Sequence, residues 1–207
     1  MIILGLGLLY LIFFPLSRID PVMLPDRICV LQDSLEASFE DQLGQDISQT
    51  QFEDNICVLY FYETGCEDTA CQQVMHELSR IQTEYIDDQE VKVFTIALKD
   101  EINGLELKQG IARSYNAIPE KWYILDTDTA GLRELYYEQL GLPWPNDDGA
   151  SVLNAKGMIV LLDHLGGFRG LYEGKYPKKI DRLMADIILV QKWRKVKKKE
   201  ASRQRKD

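Results

Sequence analysis

Residues 56–71, ICVLYFYETGCEDTAC, decide the fold of this chain. Their first half is rich in β-branched and aromatic side chains, which predicts a strand ending near Thr64 and Gly65. Cys66 and Cys71 follow, and a helical pattern begins there. A strand that delivers two cysteines to the start of a helix is typical of a thioredoxin-like redox or metal site.

Alternating strands and helices are predicted on both sides of this stretch. Residues 17–50 suggest a linker followed by an entry strand or hairpin, with a short strand over 28–31. Later strands are predicted over 56–63, 91–98, 122–125, 158–162 and 168–172. Helices are predicted over 71–86, 104–117, 129–140 and 177–195. The apolar spacing places on the inner sides of the first and last helices Val74, Leu78, Ile81, Tyr85, Ile180, Leu183, Met184, Ile187, Ile188 and Val190.

This order of elements predicts one α/β domain, a thioredoxin-like sandwich behind an N-terminal hydrophobic anchor helix. A chain of 207 residues with 45% apolar residues can bury one such core with appendages. We divide the chain into an anchor or signal anchor (1–17), a linker (18–35), the thioredoxin-like domain (36–190) and a basic tail (191–207).

The net charge of −9 hides a division between the domain and the tail. Residues 191–207 carry nine basic and two acidic residues, a net of +7, which leaves −16 for the rest. An acidic body repels phosphate, so nucleic acid is not expected as a partner. The tail is either a solvated extension without a partner or a contact for anionic lipid headgroups.

The first sixteen residues, MIILGLGLLYLIFFPL, contain no charge and predict a membrane segment. As a helix they would span roughly 24 Å, slightly less than a bilayer core. An uncleaved anchor is favoured over a cleaved signal or a buried core segment, because no small-x-small cleavage site follows. An anchor places the domain on the extracytoplasmic (periplasmic) side, although Arg18 and Arg27 favour the opposite orientation.

The spacing of the two cysteines limits where they can lie. A disulfide needs Cα atoms about 4.4–6.8 Å apart, whereas residues i and i+5 of one helix are about 8 Å apart and point about 140° away from each other. Cys66 is therefore expected in the loop and Cys71 near the first helical turn, where the helix dipole stabilises a thiolate. Glu67 and Asp68 oppose this effect. The alternative is a static bridge or two inert thiols.

The remaining cysteines and both histidines are not expected to take part in chemistry. Cys57 lies inside a strand and Cys29 in a short apolar run, so both are predicted to be buried core thiols. His76 is predicted to be exposed on the first helix, and His164 is predicted to lie in a surface turn.

Three blocks give the chain a resemblance to the Sco/SenC proteins. They are VLYFYETGCEDTAC, the KWYILD segment at 121–126, and the run from Met158 through Gly166 to Gly174. The resemblance covers roughly residues 40–190. Sco/SenC proteins are membrane-anchored, thioredoxin-fold copper chaperones and thiol reductases for cytochrome c oxidase assembly.

The chain departs from the family pattern at the metal site. The family has Cys-x-x-x-Cys, commonly with proline after each cysteine. Here four residues separate the cysteines, and the residues that follow them are Glu67 and Gln72. The position of the family's metal-binding histidine falls at Asn154 or Ala155. The family also has an acidic residue after the second strand, and Asp100 is its nearest counterpart here. Two thiolates alone suit Cu(I), which accepts linear coordination.

The resemblance implies thiol–disulfide exchange by Cys66, the attacking thiol, and Cys71, the resolving one. It also implies Cu(I) held by the same two sulfurs, with no other cofactor expected. The implied partners are the membrane, through the N-terminal segment, and client protein thiols such as those of an oxidase subunit. A non-catalytic assembly or scaffold protein is the alternative. A peroxiredoxin-like peroxidase is weaker, since no Pro-x-x-x-Thr-x-x-Cys pattern surrounds Cys66.

Overall fold

The computed structural model describes residues 38–48, 51–52, 54–62, 69–97, 104–140 and 157–204. The predicted anchor, the linker, the strand over 28–31 and the loop over 142–150 lie outside these residues. Within the described part of the chain, no helix has both the length and the apolar character needed to cross a bilayer.

The described residues form alternating strands and helices, as the sequence predicts. The strands are β1 (Phe39–Glu40), β2 (Asp46–Ile47), β3 (Ile56–Tyr62), β4 (Val91–Ala97), β5 (Trp122–Leu125), β6 (Met158–Leu162) and β7 (Phe168–Glu173). The helices are α1 (Thr69–Glu84), α2 (Leu105–Tyr115), α3 (Thr129–Arg133) and α4 (Pro177–Gln204), and a π-helical segment (Glu134–Gln139) follows α3.

Five of these strands form the central sheet, in the order β5-β4-β3-β6-β7. β3, β4 and β5 are parallel, whereas β6 pairs antiparallel with both β3 and β7. β3 lies in the middle and is buried on both faces, which explains its almost continuous apolar sequence. The β6–β7 hairpin turns at residues 163–167, as predicted, where Asp163 N donates to Gly167 O.

The sheet separates two apolar layers. On one face α1, α2 and α4 pack against alternate strand residues, with Val58, Val93 and Ile124 at its centre. On the other face the β1–β2 hairpin, α3 and the π-helical segment cover Leu59 and Phe94. The α/β sandwich with a central sheet is therefore confirmed.

The β1–β2 hairpin is attached to the sheet by a buried lysine. Glu40 exchanges two backbone hydrogen bonds with Asp126, at the end of β5. Lys108 of α2 is fully buried, and its Nζ donates to the Glu40 carboxylate at 2.7 Å and to the Asp126 carboxylate at 2.8 Å. The charge of Lys108 is therefore compensated where α2, β1 and β5 meet.

Two helices differ from the sequence prediction. The helix expected over 129–140 becomes π-helical at Glu134, and Leu140 N donates to Leu135 O, five residues back. The last helix was predicted to end at 195 but continues to Gln204. Arg194 binds the Asp54 carbonyl and the Glu90 carboxylate, and Lys198 lies 3.8 Å from the same carboxylate, so these contacts hold this part of α4 against the domain.

The inner face of α4 was also partly mispredicted. Ile188 is 45% exposed, so its placement on the inner side was wrong. Asp186 is buried instead, because the Tyr172 hydroxyl donates to its carboxylate at 2.9 Å and Arg182 pairs with it. Specific hydrogen bonds thus bring a carboxylate into the apolar layer.

Candidate thiol site at the carboxyl edge of the sheet

The first turn of α1 lies at the carboxyl edge of the parallel strands. β3, β4 and β5 run in the same direction, so their carboxyl ends share one edge of the sheet. α1 follows β3 in the chain and begins at Thr69, which places Cys71 in its first turn. This confirms the predicted position of Cys71. Open α/β sheets bind ligands at this edge, and a helix N-terminus there favours negative charge.

Cys71 is almost completely buried beneath this edge, with 3% of its surface exposed. Its sulfur lies 3.2 Å from the hydroxyl of Tyr60 on β3. Tyr60 is itself 1% exposed. The contact between this hydroxyl and the Cys71 sulfur therefore lies inside the described core, where it is shielded from competing water.

Cys66 lies outside the described residues, so the pairing of Cys66 with Cys71 stays a prediction. The same holds for Glu67, Asp68 and Asp100, and for Asn154 and Ala155.

The contribution of Tyr60 was not predicted from the sequence. A signal did exist, because Ile56, Val58 and Tyr60 alternate onto the strand face that packs against α1. A buried tyrosine hydroxyl usually finds a hydrogen-bond partner, and the next helix in the chain carries a cysteine in its first turn.

Replacing Tyr60 with phenylalanine is expected to make the reduction potential of the cysteine pair more negative. A hydroxyl donates more strongly to a reduced sulfur, above all a thiolate, than to a disulfide. Losing about 0.5–1.5 kcal/mol of this preference corresponds to roughly 10–30 mV for a two-electron couple. Equilibration with glutathione buffers measures the shift.

Tyr123→Phe is the matched control, since Tyr123 donates to Gln51 on the opposite face of the sheet. Equal potentials for wild type and Tyr60→Phe would show that the Tyr60 contact does not bias the couple.

Cys57 is a buried core thiol, as predicted. It is fully buried, and its Sγ lies 3.5 Å from the carbonyl oxygen of Phe52. Burial, followed by the nearby Asp163 carboxylate, raises the pKa of the Cys57 thiol. It lies near the start of β3 and therefore far from Cys71, so it does not compete for the thiol chemistry.

His76 is exposed on α1, as predicted, with its ring edge-on to Tyr115. It is five residues from Cys71, so it points about 140° away from that cysteine around the helix. Among the described residues, no group of three or more His, Cys, Asp or Glu side chains could hold a metal ion.

The prediction of a surface position for His164 was wrong. The residue is 9% exposed, and its ring lies 5.0 Å from the ring of Trp193 on α4. Trp193 of α4 lies over the hairpin turn and buries the histidine. His164 Nδ1 is buried without a hydrogen-bond partner in the described structure.

This burial makes His164 a source of pH-dependent stability. Burial lowers its pKa, and Arg194 and Lys198 act in the same direction, while Asp163 and Asp54 act against them. The unfolded chain therefore binds the proton at higher pH than the folded one. The contribution of neutral His164 to the unfolding free energy is therefore fully present above the pKa of a histidine in the unfolded chain, about 6.5. It decreases as the pH falls below that value.

We expect His164→Gln to weaken the loss of stability between pH 7.5 and pH 5.5, measured by urea unfolding. His76→Gln is the control and should retain the wild-type dependence, because His76 is exposed in the fold. An unchanged pH dependence in His164→Gln would contradict the assignment.

Comparisons with known proteins agree with the architecture described above. No protein-family model matches the sequence, and no curated protein matches it. A SCO1/SenC family lipoprotein from Bacillus anthracis is similar in structure, with a TM-score of 0.66 and 14% identity, over 81% of this chain and 99% of the other. BsSco, a Sco family cytochrome c oxidase assembly protein with a disulfide switch, gives 0.64 and 16% identity, over 81% and 96%.

A third similar structure is ScoI from Bradyrhizobium japonicum with copper bound. Its TM-score is 0.52 at 16% identity, over 72% of this chain and 96% of the other. At these identities the likeness concerns the fold. The chain has the thioredoxin-like fold of the Sco/SenC proteins, as the sequence blocks around Cys66, Lys121 and Met158 imply.

Proposed function

We propose that this chain is a divergent Sco/SenC protein and that it exchanges thiols and disulfides through Cys66 and Cys71. The observation that carries the proposal is the position of Cys71, in the first turn of α1 at the carboxyl edge, with the Tyr60 hydroxyl 3.2 Å from its sulfur. A helix N-terminus and a hydroxyl donor both stabilise a reduced sulfur. They support redox use of this cysteine.

The burial of Cys71 supports a division of roles between the two cysteines. With 3% of its surface exposed, Cys71 cannot meet a client disulfide directly. We assign the attack to Cys66: its thiolate bonds to one client sulfur and expels the other as a thiolate. Cys71 then attacks Cys66, which releases the reduced client and leaves the pair as a disulfide. A dithiol reductant must return the pair to its reduced form.

Transfer of Cu(I) is the second activity that we assign to the same sulfurs. Two thiolates satisfy Cu(I), a soft ion that accepts linear coordination. A related fold has been solved with copper bound. Without a nitrogen ligand the pair favours Cu(I) over Cu(II), so copper would be a cargo rather than a resident cofactor. Oxidase subunits with cysteine ligands are the clients that this chemistry suits.

The location that we propose follows from the sequence. Residues 1–17 would anchor the domain on the extracytoplasmic side of a membrane, where thiol pairs meet an oxidising environment. There the exchange of client disulfides and the delivery of copper would take place at the same cysteine edge.

Titration of the full chain in glutathione buffers, followed by alkylation and mass spectrometry, tests the proposal. We expect Cys66 and Cys71 to lose and regain reactivity together as a two-electron couple. The chain is unfolded before alkylation, so that buried thiols also react. Cys57 serves as an internal reference, because it is a free thiol in the described structure and should be alkylated at every buffer potential. A cysteine pair whose redox state never changes across the buffers would favour the alternative, a non-catalytic assembly protein. The burial of Cys71 is compatible with that alternative as well.

Cu(I) titration of the reduced chain tests the second activity. We expect one ion per chain, lost in Cys66→Ala and in Cys71→Ala and retained in Cys57→Ala. Equal binding by all four proteins would place the copper elsewhere.

A further inference from the structure

The last turns of α4 carry a cationic stripe on their outer face. At 3.6 residues per turn, its members fall within about 100° of one another around the helix. All are exposed, and they extend along roughly 22 Å of the helix. We define the cationic stripe as Ile188, Lys192, Lys195, Val196, Lys199 and Arg203.

Ion pairing separates this stripe from the other described cations in the last turns of α4. Arg194 lies 3.2 Å from the carboxylate of Glu90, and Lys198 lies 3.8 Å from it. Lys197 pairs with Glu200 at 3.1 Å. These residues lie off the stripe.

The four basic residues of the stripe have no such partner. These residues are Lys192, Lys195, Lys199 and Arg203. Within the described part of the chain, none of them forms an ion pair, although the rest of the chain is strongly acidic. Their charge is available to an external anionic surface.

We propose that the cationic stripe binds an anionic lipid surface, with α4 lying along it. Ile188 and Val196 are 45% and 46% exposed among the cations, and a headgroup layer accepts such apolar side chains beside lysines. A long nucleic acid is disfavoured, because the remaining 190 residues carry −16 and would repel it. The uncharged residues 1–16 supply an independent reason for a membrane to be near.

The stripe lies far from the candidate thiol site. β7 ends at the same sheet edge as β3, and α4 then runs back toward the opposite edge. There Arg194 contacts Asp54 and Glu90, which precede β3 and β4. Lipid bound along the last turns of α4 therefore leaves Cys71 and its edge uncovered for a client.

The ratio of the vesicle partition coefficients of the full chain tests the proposal. Vesicles of phosphatidylglycerol and phosphatidylcholine are compared with vesicles of phosphatidylcholine alone. Insertion of the N-terminal segment contributes to both, so the ratio reports the electrostatic part. Each basic residue at the surface contributes about a factor of five. We expect Lys192→Gln, Lys195→Gln, Lys199→Gln and Arg203→Gln together to lower the ratio at least about 100-fold.

The start of the same helix offers a matched control. Lys175 and Lys179 are exposed but lie off the stripe, since Lys175 precedes the helix and Lys179 lies on another face of it. Their replacement by glutamine should leave the ratio within a few-fold of wild type. An unchanged ratio in the stripe variant would overturn the proposal. A second result would also overturn it: RNA or polyglutamate, without vesicles, protecting the stripe lysines from acylation as well as anionic vesicles do.

Discussion

Cys71→Ser should abolish the turnover of disulfide exchange. Without the resolving sulfur, Cys66 can form a mixed disulfide with a client but cannot release it. Resolution within one protein has a high effective concentration, so an external thiol replaces it poorly. With a peptide disulfide as client and a dithiol reductant, we expect turnover to fall on the order of 100-fold or more, and the mixed disulfide to accumulate in stoichiometric amount.

Cys57→Ala is the matched control for this prediction. Cys57 is as deeply buried as Cys71 but lies near the opposite end of β3. Its truncation should cost roughly 1–2 kcal/mol of unfolding free energy through the cavity left behind, with turnover unchanged. If Cys71→Ser turned over as fast as wild type, the proposed exchange mechanism would be wrong.

Asp163→Ala should produce the largest loss of stability, about 3–5 kcal/mol of unfolding free energy. Asp163 is fully buried in the β6–β7 turn. One carboxylate oxygen accepts from the backbone N–H groups of Leu165 at 2.8 Å and Gly167 at 2.9 Å. The other accepts from Arg169 Nε at 2.6 Å and lies 2.5 Å from Arg169 Nη2. Removal leaves a buried cation and two backbone donors without this acceptor.

The loss should extend beyond the turn. The Arg169 guanidinium lies 4.9 Å from the ring of Trp193, which links the turn to α4. Asp163→Asn should cost less, because the amide oxygen still accepts from one set of donors, whereas the amide NH2 group cannot accept from the other set. Urea unfolding measures all of these variants.

Glu138→Ala provides the comparison with an exposed pair. Glu138 lies 3.7 Å from Arg133, and both side chains are 58% exposed. Its removal should change the unfolding free energy by less than about 0.5 kcal/mol. An Asp163→Ala protein within 1 kcal/mol of wild type would show that the turn network does not stabilise the fold.

The sequence by itself determined the central sheet and the position of Cys71. β3, β4 and β6 are runs of apolar residues bounded by turn-forming residues, and local pattern is enough to define such strands. In α1 the predicted inner residues Val74, Leu78 and Ile81 are all fully buried. β3 ends at Tyr62 and the helix that carries Cys71 begins at Thr69, so the predicted break between strand and helix is confirmed.

Only the tertiary structure decided which polar groups are buried. His164 and Asp186 belong to segments with surface-like sequences, yet α4 covers the first and Tyr172 binds the second. The hydroxyl of Tyr60 meets Cys71 because β3 lies beneath α1. Hydrophobic periodicity is local and can be read along the chain, whereas hydrogen bonds and ion pairs depend on partners many residues away, which only the packed chain brings together.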